Sequence, residues 1–291
     1  MGLIIYLDGE FVEEKDAKIS VFDHGLLYGD GVFEGIREYS GKIFKLDGHI
    51  DRLFMSAHAI DLNIPVSKEQ IKNIICQTLK KNNLMDGYIR VVVTRGIGDL
   101  GLDPKKCPKP TIFVIAGKIQ LYPEKLYNNG LSIITVPTRR NLSESLNPAI
   151  KSLNYLNNIL AKIEANNVGV MEGLLLNNEG FVTECTGENI FALSKNILFT
   201  PPVSAGALDG ITRSCVIEIG QNMNLTVKQE NITRYDLYNA EECFLSGTAA
   251  EIIPVAKIDG RIIGTGKCGK ITKQIREMFK KVVIEDGYPV Y

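Results

Sequence analysis

Hydrophobic periodicity lapses between Lys118 and Gly130, where Tyr122-Pro123 and Asn128-Asn129-Gly130 gather residues that end helices and strands. Segments on both sides mix strand-like and helix-like periods, which predicts two mixed units rather than a helical bundle or a β-sandwich. The expected organisation is a small α+β domain over 1–118, a linker over 119–130 and a larger α/β domain over 131–291. A length of 291 residues agrees with two domains at roughly 150 residues each.

In the first segment, Leu3–Leu7 and Phe11-Val12 flank Asp8-Gly9, a pair suited to the positive φ angles of a tight hairpin turn. Val32–Tyr39, a Ser40-Gly41 turn and Lys42–Leu46 form a second hairpin, and apolar residues at helical spacing follow from near Asp47 to Ile60. Ser67-Lys68-Glu69-Gln70 has the form of a capping box opening a helix through Leu79, and the β-branched runs Tyr88–Thr94 and Thr111–Ala116 read as strands. Beyond the break the pattern gives a strand over Leu131–Val136, a helix over Leu153–Asn166 and strand-turn-strand over Gly173–Leu193. Helices over Ile211–Met223 and Lys267–Val283 complete the reading.

With 33 Lys+Arg against 34 Asp+Glu, no strong field draws the chain to nucleic acid or an anionic membrane. No apolar run approaches the roughly 20 residues of a membrane-spanning helix. The amino terminus has no basic residue before Lys15 and meets Asp8 early, so it is read as lacking a secretory signal and the protein as cytoplasmic. Six scattered cysteines without a C-x-x-C pair argue against a zinc knuckle or a disulfide framework, and no metal is expected.

Few residues point to chemistry by themselves. The hydrolase, zincin and Walker motifs are missing, and Gly29-Asp30-Gly31 precedes a strand, the wrong context for a dinucleotide loop. Gly210-Ile211-Thr212 opens a helix and suits either an anion or an ordinary cap. Ser246-Gly247-Thr248-Ala249-Ala250 allows close approach to backbone N–H groups, or simply tight packing. Lys151, between Pro148-Ala149-Ile150 and a helix, is either a neutral amine in an apolar setting or a solvated surface lysine. Glu184 shares a strand face with Val182, a face that is usually turned to solvent.

Taken together, these segments resemble the class IV (fold type IV) pyridoxal-phosphate enzymes. The resemblance rests on Phe22–Arg37 (FDHGLLYGDGVFEGIR), Lys151-Ser152-Leu153-Asn154-Tyr155, Glu184–Phe191 (ECTGENIF) and Ser246–Ala250, in order over nearly the whole chain. Phe33-Glu34-Gly35-Ile36-Arg37 and Tyr88-Ile89-Arg90 are most similar to branched-chain amino-acid aminotransferases. The resemblance implies a two-domain, D-amino-acid aminotransferase-like fold with its active site between the domains, and pyridoxal 5′-phosphate as cofactor. Lys151 would form the Schiff base and relay the Cα proton, a task needing an amine that can deprotonate. Glu184 would pair with the pyridine nitrogen, Tyr155 with the phenolic oxygen, and Arg52, Gly210, Ile211, Thr212 and Thr248 would hold the phosphate.

For the substrate, the resemblance implies a carboxylate near Tyr88, Thr248 and Ala249, and a side chain against Tyr28, Phe33, Tyr155 and the loop carrying Leu100 and Leu102. Arg37, in the same motif as Phe33, would also bind the substrate. Arg90 would receive the distal carboxylate of glutamate. A methylene changes binding by only about 1–3 kcal/mol, so leucine, isoleucine and valine would all be accepted, with 2-oxo acids as amino acceptors. Tyr28 and Asp99–Leu102 are candidates for crossing the interface of a homodimer or higher homo-oligomer. Lys151-Ser152-Leu153-Asn154 is also similar to D-amino-acid aminotransferases. An aminodeoxychorismate lyase and a non-catalytic protein of the same fold are the other readings.

Overall fold

The structure, a computed structural model, describes residues 2–291. By its internal packing the chain divides into one unit of 1–119, 150–154 and 283–291, and another of 120–149 and 155–282.

The first unit is built on a seven-stranded sheet in the order Gly287–Pro289, Lys42–Phe44, Gly31–Tyr39, Tyr88–Thr94, Thr111–Gly117, Ile4–Leu7 and Glu10–Glu13. Asp8 and Gly9, at φ 48° and 111°, make the tight turn between its last two strands. Helix Leu46–Ala59 buries Leu46, His49, Ile50 and Leu53 at helical spacing. Helix Lys68–Lys81 buries Ile71, Ile75 and Leu79 and opens on the expected capping box at Ser67. Both contribute to a core that includes Ile36, Ile89, Val91 and Val114 from one sheet face. That arrangement leaves the other face of Gly31–Tyr39 and Tyr88–Thr94 for function.

The expected helix over Leu153–Asn166 starts later, at Leu156. Residues 150–154 are extended and bound to the first unit: Phe33 N–H donates to the Lys151 carbonyl (3.0 Å) and Leu153 N–H to the Gly31 carbonyl (2.9 Å). Pairing with a strand more than a hundred residues earlier overrides the local helical pattern, and it fixes the backbone on either side of Lys151.

The second unit carries a nine-stranded mixed sheet. Eight strands run in the order Thr226–Gln229, Ile197–Thr200, Asn189–Ser194, Glu242–Gly247, Glu251–Ile258, Leu131–Thr135, Glu172–Leu176 and Val182–Cys185, and Arg261–Ile262 pairs with Glu251–Ile258. Helix Ile211–Asn222 buries Cys215, Val216 and Ile219. The α/β and α+β organisation expected from sequence is what the chain adopts. Among the described residues no helix is long and apolar enough to cross a membrane, and no cluster of three His, Cys, Asp or Glu side chains is placed to hold a metal ion.

Candidate active site

Antiparallel register sorts the first unit's candidates. Phe33, Gly35 and Arg37 lie opposite Val92, Arg90 and Tyr88, so the side chains of Phe33, Arg37, Tyr88 and Arg90 share one sheet face. Arg90 Nη2 donates to Tyr88 Oη at 3.0 Å, and its guanidinium lies 4.5 Å from the Phe33 ring centroid. Lys151 Nζ is 4.7 Å from the same ring. A lysine, an arginine, a phenol and an apolar ring are thus gathered within the reach of one small molecule. Gly35 makes room for them, because a Cβ there would stand 2.2 Å from Tyr88 Oη. Arg37 packs on Tyr39, 5.1 Å from its ring centroid.

Arg52 takes part through the opposite face. Its Nε and Nη2 fork onto Glu34 Oε1 (2.7 Å) and Oε2 (2.8 Å), and His49 Nδ1 lies 2.8 Å from Glu34 Oε2. Burial by itself would push the Glu34 carboxyl up, but the Arg52 guanidinium and the His49 ring together hold it down at about 2. Burial also lowers the His49 pKa, so the ring contributes an N–H rather than a charge. Glu34 therefore fixes the direction of Arg52 as an ionised, bidentate partner. It lies within Phe33–Arg37, where the sequence alone does not mark it as a partner of Arg52.

The loop carrying Leu100 and Leu102 is tied back to the segment after Asp23. Tyr28 Oη donates to the Leu100 carbonyl at 2.5 Å, and His24 Nε2 is 2.8 Å from the Asp99 carbonyl. Leu100 and Leu102 themselves remain 70% and 79% exposed on this chain, as does much of Tyr28.

In the second unit, Glu184 is buried instead of facing solvent. Arg140 Nη2 pairs with its Oε1 at 2.7 Å, while Leu208 N–H (2.8 Å) and Asn189 Nδ2 (3.3 Å) donate to its Oε2. Gly210 caps helix Ile211–Asn222 without any side chain bonding the helix start, and a Cβ on it would come within 2.1 Å of Asn189 Oδ1. Across the sheet from Asn189 stands Ser246, fully buried, with no hydrogen-bond partner for its hydroxyl. Thr212 is buried, and Thr248 and Ala249 are half-buried in the turn after Glu242–Gly247. Tyr155 is half-buried at the cap of helix Leu156–Asn167. Arg140 and Asn189 were not foreseen: their role depends on Glu184, which no local pattern marks as buried.

Comparison with known proteins gives a consistent result. The amino-transferase class IV family model matches residues 31–258. The putative branched-chain-amino-acid aminotransferase of Methanocaldococcus jannaschii is 55% identical over 99% of both chains. The solved Escherichia coli branched-chain amino acid aminotransferase superposes with a TM-score of 0.95 at 33% identity, covering 99% of this chain and 96% of that one. A T.th. branched-chain amino acid aminotransferase complexed with N-(5′-phosphopyridoxyl)-L-glutamate does so with a TM-score of 0.91 at 34% identity, over 98% and 95%. With that identity and coverage along its whole length, the chain belongs to the class IV aminotransferases and, within them, to the branched-chain amino-acid aminotransferase family.

Proposed function

We propose that the protein transfers the amino group between L-leucine, L-isoleucine or L-valine and 2-oxoglutarate with pyridoxal 5′-phosphate. The observation that carries this reading is the grouping of Lys151 and Arg90 on the Phe33 ring, an amine beside an apolar surface with one cation to receive a second carboxylate. The second unit's residues fit the cofactor: an uncapped helix start with an orphaned buried hydroxyl nearby suits a phosphate, and Glu184 Oε1, with one bonded partner, keeps an acceptor position for a ring N–H.

In this reading Arg52, Gly210, Ile211, Thr212 and Thr248 hold the phosphate, Tyr155 the phenolic oxygen and Glu184 the ring nitrogen. When bound, the cofactor supplies an aldehyde carbon that captures amines and a ring that withdraws electrons from the substrate Cα. Lys151 would anchor the cofactor through its amine and, when the substrate amine takes that place, would move the proton from the substrate Cα to the cofactor carbon that receives the amino group. Tyr88, Thr248 and Ala249 orient the α-carboxylate. Phe33, Tyr28, Tyr155, Leu100 and Leu102 receive the aliphatic side chain and exclude water, and Arg37, across the strand pair from Tyr88, also binds the substrate. Arg90 serves the distal carboxylate of glutamate.

The assay is direct. Purified protein with added cofactor should form glutamate from L-leucine and 2-oxoglutarate. Turnover of D-alanine in place of L-leucine, or release of pyruvate from aminodeoxychorismate, would replace this reading with one of its alternatives. Arg90→Ala should lower kcat/KM for glutamate about 10- to 100-fold more than for leucine, the loss of one charged hydrogen-bonded contact that only glutamate makes. Equal losses would remove Arg90 from specificity. The proposal extends to a cytoplasmic homodimer acting in leucine, isoleucine and valine biosynthesis. Exposed Leu26, Leu27, Tyr28, Leu100 and Leu102 support the dimer as an apolar surface awaiting a partner.

A further inference from the structure

Arg140 is a buried arginine held on every side. Besides Glu184, its Nε donates to the Gly206 carbonyl (3.1 Å) and its Nη1 to Asn158 Oδ1 (3.1 Å). Asn158 Nδ2 in turn donates to the Thr186 carbonyl (2.8 Å), and Arg140 N–H to the Leu176 carbonyl (2.9 Å). A guanidinium tied down in this way cannot swing to another anion or leave the carboxylate to water. A buried ion pair by itself is weak support for stability, since desolvating both ions offsets most of their attraction.

A pyridine nitrogen against a buried carboxylate shares a single proton with it. Two states compete: the proton on nitrogen beside a carboxylate anion, or on oxygen beside a neutral ring. Low-dielectric surroundings favour the neutral pair, because they penalise separated charges. A fixed cation bonded to the carboxylate, as Arg140 Nη2 is to Glu184 Oε1, reverses that preference. It lowers the proton affinity of both groups, but more that of the one it touches, as Coulomb energy falls with distance. The number of protons stays at one, and only its residence changes.

We propose that Arg140 is a positioning residue that acts through Glu184, keeping the acid as an anion so that the shared proton resides on the ring nitrogen of bound pyridoxal 5′-phosphate. This rests on the assignment of Glu184 to that nitrogen. The electron-withdrawing capacity of the ring then depends on a residue that touches neither cofactor nor substrate.

The test is 15N NMR of holoenzyme loaded with ring-15N cofactor, since the nitrogen resonance separates protonated from neutral pyridine whatever the activity. Wild type should show the protonated ring. Arg140→Met should lower the ratio of protonated to neutral ring about tenfold, the effect of one pKa unit of bias. Arg140→Gln keeps a donor for Glu184 without charge and should shift the resonance in the same direction, which covers the case in which the methionine variant folds poorly. Arg140→Lys should restore the wild-type signal. A protonated ring in both neutral variants, with Glu184→Gln losing it, overturns the role of Arg140 alone. A protonated ring in Glu184→Gln as well would instead overturn the assignment of Glu184.

Discussion

Lys151→Ala is expected to lower the rate of leucine transamination by at least about 10²–10⁴-fold, the usual worth of a positioned acid/base, with loss of the covalent attachment adding to it. The substitution is clean, because the backbone on either side is held without the side chain. Lys151 N–H donates to Ser56 Oγ at 3.2 Å, its carbonyl accepts from Phe33 N–H, and Leu153 N–H reaches the Gly31 carbonyl. The effect should therefore lie in the chemistry and leave the fold intact. Lys151→Arg separates charge from proton transfer: it keeps a cation beside Phe33 but cannot deprotonate, so it should be as inactive as alanine. Borohydride reduction followed by peptide mapping should label the peptide holding residue 151 in wild type and in neither variant. A rate within a few-fold of wild type in Lys151→Ala would remove the residue from the catalytic role.

What the sequence makes legible here follows the range of the interactions. The helix Lys68–Lys81 was readable because its cap is local: Ser67 Oγ accepts from Gln70 N–H (3.2 Å), and Gln70 Oε1 from Ser67 N–H (2.7 Å). Tyr88–Thr94 was readable because β-branched residues crowd one short run. Gly287–Pro289 was not, because three residues without a period become a strand only by pairing with Lys42–Phe44. The late start of the helix at Leu156 has the same cause in residues 150–154. Phe33, Tyr88 and Arg90, which the family resemblance groups with Lys151, share one sheet face by strand register, and the bridge of Ser152 to Val32 brings Lys151 beside Phe33. The environment of Glu184 was hidden, since Arg140, Asn189 and Leu208 meet it only once the second sheet has formed. Residue types suited to chemistry are visible in the sequence, whereas the groups packed against them are not.

A buried carboxyl that the sequence pattern does not mark should make stability depend on pH. Glu38 is fully buried, and neither carboxyl oxygen has a hydrogen-bond partner. Burial, with repulsion from Asp86 adding to it, raises its pKa from 4.5 to about 7. Between those values the unfolded chain has released the proton while the folded chain keeps it, so stability falls as pH rises from about 4.5 to 7 and then stays low. The ceiling is about 3 kcal/mol, since each pKa unit corresponds to about 1.4 kcal/mol. Glu38→Gln cannot ionise but leaves a buried amide, so it should gain roughly 1–3 kcal/mol over wild type at pH 8 and much less at pH 5. Denaturant unfolding followed by circular dichroism at both pH values measures this difference. Glu188 is also pushed upward, by burial and by the nearby Glu172 charge, but its contribution is common to both proteins and cancels. An advantage for Glu38→Gln of the same size at pH 5 and pH 8 would mean that the carboxyl does not titrate in this range, and that its burial costs the fold nothing that depends on protons.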